Sequence, residues 1–279
     1  MPEGHALFRL AGALDDAFAG TTPSVTSPQG RFAEGAALLD GLAFRRASAW
    51  GKHLFVEFDD DRWLNVHLGL IGKFSVDAYD RDAGVPPVRG QVRLRLLTDS
   101  HVADLRGAIV CAVVTWEQVE ATMARLGPDP LRPGQDPDRS WERIGRSGRS
   151  IAELLMDQSV VAGVGNVYRS ELLFRHRVDP FRPGNQIRQR TWQAIWEDVV
   201  TLMALGVSHG QILTMTDQVE VATAQRASGE PLESSESMES RHYVYKRQGE
   251  PCRVCGSRIR TKLVAGRNLF WCGRCQRRR

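Results

Sequence analysis

No stretch of the chain reaches the roughly eighteen consecutive apolar residues that a membrane-spanning helix needs. Its first residues, MPEGHALFRLAGALDDAFAG, lack a basic region followed by an apolar core, so neither export nor membrane insertion is expected. No internal repeat of fixed period is present. Cysteine is scarce, five in 279 residues, and glycine and proline stand at ordinary levels. With 25% charged and 42% apolar residues the chain belongs among globular proteins, not disordered ones, and its length suits two domains or one large one.

The scarce cysteines are not scattered. Four close the chain as two CxxC pairs, Cys252 with Cys255 and Cys272 with Cys275, around the basic stretch RIRTKLVAGRNLF. Zinc takes four thiolates in a tetrahedron, and a CxxC turn brings two sulfurs onto one ion while the chain folds back with the second pair. Two disulfides would be the alternative, but no secretory segment precedes them, and thiolate ligands suit a reducing cytoplasm. One structural zinc is therefore expected. From Arg241 to Arg279 there are twelve Lys or Arg and a single acid, Glu250, a net +11 within a chain of +4. Such a local excess reads as a phosphate-binding face. The fifth cysteine, Cys111, lies in the apolar run AIVCAVVT and reads as a buried structural thiol.

Along the chain the pattern changes twice. Leu7, Leu10, Ala11, Leu14, Ala17 and Phe18 recur at helical spacing and predict a helix almost at the N-terminus. From about residue 42 to 116 short strand-like runs, HLFVEF, WLNVHL, KFSVDAY, QVRLRLL and AIVCAVVT, alternate with turn formers such as FDDDR. A β-sandwich or barrel with a packed helix follows. LGPDPLRPGQDPDRS reads as a linker. Helical patterns resume in RSIAELLMDQ, VYRSELLFRHRV and RQRTWQAIWEDVVTLMALG, the last expected to stop at Gly206. ASGEPLESSESMES reads as an acidic, mobile loop. The expected division is a catalytic β-sandwich domain over 1–125, a linker over 126–140, a helical domain over 141–240 and a zinc hairpin over 241–279. The fold class is α+β.

In VAGVGNVYRSELLF, Gly163 and Gly165 precede a helix. Such a turn lets backbone amides approach an anion, although an ordinary glycine turn has the same composition. The whole string resembles the helix-two-turn-helix motif of the formamidopyrimidine-DNA glycosylase and endonuclease VIII family. The resemblance extends through the N-terminal PEG, WGKHLF at 50–55, HLG at 67–69, DLRG at 104–107, LGPDPL at 126–131 and AGRNLFWCGRCQ. These run from residue 2 to residue 276 in the family's order.

The resemblance implies residue roles. Pro2, made N-terminal by loss of Met1, would be the nucleophile that attacks the sugar C1′ of a damaged nucleotide. An α-amine titrates at about 7.7 to 8.0, so part of it is unprotonated near neutral pH. Glu3 would protonate the sugar ring oxygen, a role that suits a carboxyl whose pKa burial raises; a first-turn acid favoured by the helix dipole is the plainer reading. Lys52 would contact phosphate and donate a proton during elimination; alone it reads as a strand-end lysine. Arg267 would grip the phosphates flanking a flipped nucleotide, and Asn166 and Arg125 would hold the backbone at the lesion. Asn166 also reads as a helix N-cap. Tyr168 and Arg169 could face either DNA or the core. A base within a duplex hides its glycosidic carbon, so such enzymes flip it out and fill the gap. Leu70, Ile71 and Arg106 occupy the wedge positions, with Gly69 and Gly72 favouring an exposed tip.

The start PEGH is nearer the endonuclease VIII branch, although His5 stands where that branch usually has proline. Gly107 and Ala108 replace the aromatic wedge of the formamidopyrimidine branch, and Ala152 stands where a lysine is common. The expectation is a monomeric bacterial DNA glycosylase and AP lyase, in the cytoplasm at the nucleoid. It would act on oxidised pyrimidines in double-stranded damaged DNA by β- and then δ-elimination, without membrane or organic cofactor. The alternatives are a purine-lesion enzyme of the formamidopyrimidine branch, and a non-catalytic DNA-binding module with the same zinc site.

Overall fold

The structure, a computed structural model, describes residues 2–228 and 242–277. Most of the acidic loop expected over 228–240 lies outside the described residues. The chain folds as two compact units, Met1–Arg125 and Leu126–Arg279.

The first unit holds α1 (Gly4–Phe18), α2 (Ala33–Leu39), α3 (Trp116–Ala124) and eight strands. The strands are β1 (Ser24–Thr26), β2 (Phe44–Trp50), β3 (His53–Phe58), β4 (Arg62–His67), β5 (Lys73–Ala78), β6 (Val92–Leu97), β7 (His101–Arg106) and β8 (Val110–Val114). They form two antiparallel four-stranded sheets, ordered β1-β6-β7-β5 and β2-β3-β4-β8. Leu7, Ala11, Leu14 and Phe18, one stripe of α1 at helical spacing, join Leu54, Val56, Leu64, Val66, Leu94, Leu96 and Leu105 from both sheets in one core. The FDDDR turn closes β3 onto β4 through Asp59, Asp60 and Asp61, with Asp60 and Asp61 at φ 58° and 53°, a left-handed conformation that aspartate tolerates. Cys111 lies half-buried in β8, its thiol pushed up to about 12 by burial.

The second unit comprises α4 (Pro137–Gly145), α5 (Ile151–Leu154), α6 (Asn166–Arg175), α7 (Gln189–His209), α8 (Thr216–Ser228) and the antiparallel hairpin of β9 (Ile259–Val264) and β10 (Arg267–Cys272). The end of the expected linker is helical: Asp136 caps α4, with Pro137 in its first turn. α5 is shorter than its pattern suggested, a single turn held by the Ser150/Glu153 capping box. α7 continues through Gly206, which is buried inside it, and stops at Gly210 in the left-handed conformation (φ 73°). Packing outweighed the intrinsic cost of a glycine within a helix.

Candidate active site

The head of α1 sets out the first two candidates. Pro2 is half-buried and Glu3, the N-cap residue, is fully buried with no side-chain capping bond. The reading of Glu3 as a first-turn acid is thereby replaced: it precedes the first turn, which contains no acid. His5 is buried, and burial aided by the positive chain terminus pushes its imidazole down to about 4. The helix lies along β2, with Phe18 stacked on Phe44 at 5.8 Å and the Ala47 N–H donating to Asp15 Oδ1 at 2.6 Å. Its head therefore points towards the Trp50 end of β2.

Lys52 stands at that end. Trp50 pairs with His53, so Gly51 and Lys52 form a two-residue hairpin turn, with Gly51 at φ 57° supplying the left-handed first position. His53 pairs in turn with His67 on β4, and their rings meet edge to face at 5.0 Å. His53 Nδ1 lies 3.1 Å from Asn65 Oδ1 and therefore carries the proton. Burial, opposed by that hydrogen bond and reinforced by the charge of Arg125, holds His53 below its ordinary range. His67 is pushed down to about 4 by burial, then by His53 and Lys52. Its Nδ1 accepts the Gly69 N–H at 3.0 Å, which fixes the turn that leads into Leu70 and Ile71.

Leu70 and Ile71 are 49% and 86% exposed, an unusual display for apolar residues and a tip in fact. Ile109, 67% exposed at the entry to β8, joins them: its N–H donates to the His67 carbonyl at 3.0 Å and its side chain covers Gly69. Sequence reading had placed Ile109 inside a strand; the flexible Gly107 just before it, at φ 62°, was the available signal. Arg106 is different. Its Nη2 donates to Asp104 at 2.8 Å and its Nε to the Arg89 carbonyl at 3.0 Å, so it braces its strand beside the buried Arg95–Asp104 pair. Arg125 ends α3 and is exposed, with Nη2 3.5 Å from Thr122 Oγ1.

The remaining candidates lie in the second unit. Asn166 is the first residue of α6, not its cap, which is Gly165. Its Nδ2 donates to the Asn268 carbonyl at 2.9 Å, and its Oδ1 accepts from Arg169. Arg169 is fully buried and reaches the Val264 carbonyl at 3.3 Å, while Tyr168 is buried with its hydroxyl 3.4 Å from the Leu202 carbonyl. Both therefore face the interior, and together with Asn166 they join α6 to the hairpin whose turn carries Arg267. Arg267 is half-buried beside that turn, opposite Val264, with its Nη1 donating to the Gly266 carbonyl at 3.0 Å. Glu171, overlooked in the sequence, is fully buried and accepts four hydrogen bonds: the Thr214 hydroxyl at 2.6 Å and the Tyr243, Val244 and Tyr245 N–H groups at 2.8 Å each.

The four cysteines converge, with all sulfurs within 4.8 Å of one another. Cys252 and Cys275 stand 3.9 Å apart and Cys255 and Cys272 3.5 Å, near the roughly 3.8 Å between thiolates around tetrahedral zinc and far beyond a disulfide bond of about 2.05 Å. Both of these close contacts join sulfurs from different CxxC pairs, so the two pairs share one site. Hydrogen bonding from the Ser257 backbone pulls the Cys255 thiol down to about 6, whereas burial raises Cys252. Gln276 clips the knuckle to the helical layer, accepting the Cys272 N–H at 2.8 Å and donating to the Val178 carbonyl at 3.0 Å.

Together these features define a DNA glycosylase scaffold: residues 1–109 match the formamidopyrimidine-DNA glycosylase N-terminal domain, 126–218 the family's H2TH domain and 249–278 the zinc finger found in FPG and IleRS. The chain belongs to the formamidopyrimidine-DNA glycosylase and endonuclease VIII family of base-excision repair enzymes, with one structural zinc. It is 49% identical over 276 residues to Endonuclease 8 1 of Mycobacterium tuberculosis, covering 99% of this chain and 100% of that protein. It is 32% identical over 248 residues to formamidopyrimidine-DNA glycosylase of Geobacillus kaustophilus, covering 87% and 84%. In fold it resembles the Lactococcus lactis Fpg bound to abasic-site DNA, with a TM-score of 0.80 at 22% identity over 99% of this chain and 100% of that one.

Proposed function

We propose that this DNA glycosylase removes oxidised pyrimidines through an iminium on Pro2 and then opens the strand by β- and δ-elimination. The observation that carries the reading is the convergence at one end of the β2-β3-β4-β8 sheet. The head of α1, with Pro2 and buried Glu3, runs towards the turn that holds Lys52, beside the exposed Leu70, Ile71 and Ile109.

After loss of Met1 the lone pair of the Pro2 nitrogen attacks C1′ and the base leaves with the electrons of its glycosidic bond. Glu3 protonates the ring oxygen as the sugar opens to the iminium. Lys52 supplies a proton and a phosphate contact during elimination. Leu70, Ile71 and Ile109 fill the space of the extruded nucleotide, whose unstacking costs about a few kcal/mol. Arg125 and Arg267 hold the strand, Asn166 positions the hairpin that carries Arg267, and Arg106 acts by bracing β7 beneath the tip. Cys252, Cys255, Cys272 and Cys275 would hold the zinc as four thiolates, so the ion would shape the hairpin and take no part in the chemistry. The enzyme works as a monomer on double-stranded damaged DNA at the bacterial nucleoid, without an organic cofactor.

Pyrimidine preference is supported by the higher identity to the endonuclease VIII relative and by Gly107, Ala108 and Ile109 in place of an aromatic wedge. Borohydride trapping on thymine-glycol, 8-oxoguanine and abasic duplexes, with mass spectrometry of the N-terminus, tests it. A covalent adduct with the thymine-glycol and abasic duplexes, on protein lacking Met1 and strongly reduced in Pro2→Gly, is expected. Preferential trapping on 8-oxoguanine would transfer the chain to purine lesions, and no adduct from zinc-loaded protein would leave only DNA binding.

A further inference from the structure

The zinc module has two basic ends. Arg267 marks the hairpin turn; Cys272, paired with Ile259, marks the other end, about 17 Å away along the strand at ~3.4 Å per residue. There two adjoining cavities of about 620 and 230 Å³ open on the surface. Six arginines line them: Arg177 and Arg182 from the segment after α6, and Arg258, Arg260, Arg274 and Arg277 from the zinc module. Arg274 and Arg277 line both cavities, and among the described residues no Asp or Glu lines either. A methyl group on Gly273 would stand 2.9 Å from Arg260 Cζ, so the glycine leaves room for that guanidinium.

Neutralising the metal site does not account for this cluster. Cys255 and Cys275 line the larger cavity, and zinc with four thiolates carries only two net negative charges against the six guanidiniums. Among the described residues, Arg177, Arg258, Arg260, Arg274 and Arg277 take part in no ion pair. Uncompensated arginines in a concave row match successive phosphates, which the planar guanidinium binds in bidentate fashion.

We propose that this arginine face is a second DNA-binding surface, which grips the duplex backbone beyond the nucleotides held at the lesion. The proposal rests on the DNA reading above, but not on the chemistry at Pro2. Arg274→Gln/Arg277→Gln removes two side chains that make no hydrogen bond or ion pair among the described residues. Zinc-loaded full-length protein is titrated with two duplexes bearing the same uncleavable abasic analogue, of about 10 and about 30 base pairs, across a range of salt. The double variant is expected to bind the long duplex several-fold more weakly, with a salt slope shallower by about one to two, and the short one within about twofold of wild type. Arg177→Gln, which lines the same cavity from outside the zinc module, is expected to show the same length-selective loss, which separates a lost contact from a damaged metal site. Equal losses on both lengths, or none on either, would overturn the proposal. Cleavage of a short abasic duplex by the wild type is read in parallel; its failure would count against the lyase reading while the length comparison still decides this one.

Discussion

Ile109 covers Gly69 so closely that a methyl group on the glycine would meet Ile109 Cγ2 at 2.6 Å. One residue introduces β8 and the other closes the turn after β4, so two loops far apart in sequence form a single apolar tip with Leu70 and Ile71. Gly69 also has φ 70°, which disfavours any other residue there.

Ile109→Ala should therefore lower excision from duplex DNA by about tenfold, the equivalent of ~1.4 kcal/mol of lost apolar contact with the gap. Because Ile109 is exposed, thermal stability should hardly move. Cleavage of a single-stranded abasic substrate, which needs no gap filled, should be unchanged. Equal loss on single and double strands would remove Ile109 from the wedge.

Glu171 ties α6 to the segment before the zinc knuckle. Glu171→Gln replaces one of two acceptor oxygens by an NH2 group that cannot accept, leaving two of its four donors unpaired at about 2 kcal/mol. A melting temperature lower by roughly 4–8 °C is expected, since ~1 kcal/mol corresponds to about 2–4 °C in a protein of this size. An unchanged melt would show that the cluster carries little stability.

Cys252→Ser should reduce bound zinc and weaken duplex affinity together, because the hairpin that carries Arg267 is anchored at the knuckle. Metal analysis and a binding titration on one preparation check it. Full zinc content in the variant would refute the ligand assignment.

His5 ties stability to pH. Its native pKa of about 4 lies below the ordinary 6.5, so the unfolded chain binds the extra proton first as pH falls. Its contribution is intact above pH 6.5 and is lost towards pH 4, at about 1.4 kcal/mol per pH unit at most. Denaturant unfolding at several pH values should show a shallower slope in His5→Gln than in wild type. Identical slopes would mean that other groups set the acid sensitivity.

Much of the site was legible because its chemistry depends on residue type at fixed spacing. The CxxC pairs announced a shared ion, and Leu70 and Ile71 between Gly69 and Gly72 announced an exposed tip. Asn166 and Arg169 were less legible: in sequence they open a helix and suit a cap or a DNA contact. Their role in joining α6 to the hairpin arises from carbonyls at Asn268 and Val264, about a hundred residues away. Gly206 misled as a helix end because local propensity is worth only about 1 kcal/mol, less than burial of the surrounding helix contributes.

By itself the sequence determined the family, the alternation of strands and turns in the first unit and the metal ligands, and it marked Pro2, Glu3 and Lys52 as the candidate reactive groups. These follow from side-chain chemistry and short-range periodicity, which the chain carries wherever it folds. Tertiary structure decided what depends on distant segments meeting. It buried Glu3 and His5, completed the tip with Ile109, turned Arg106 into a brace and gathered six arginines from separate segments around the cysteine end of the zinc module. Burial and proximity are set by packing across long sequence separations, and no local pattern encodes them.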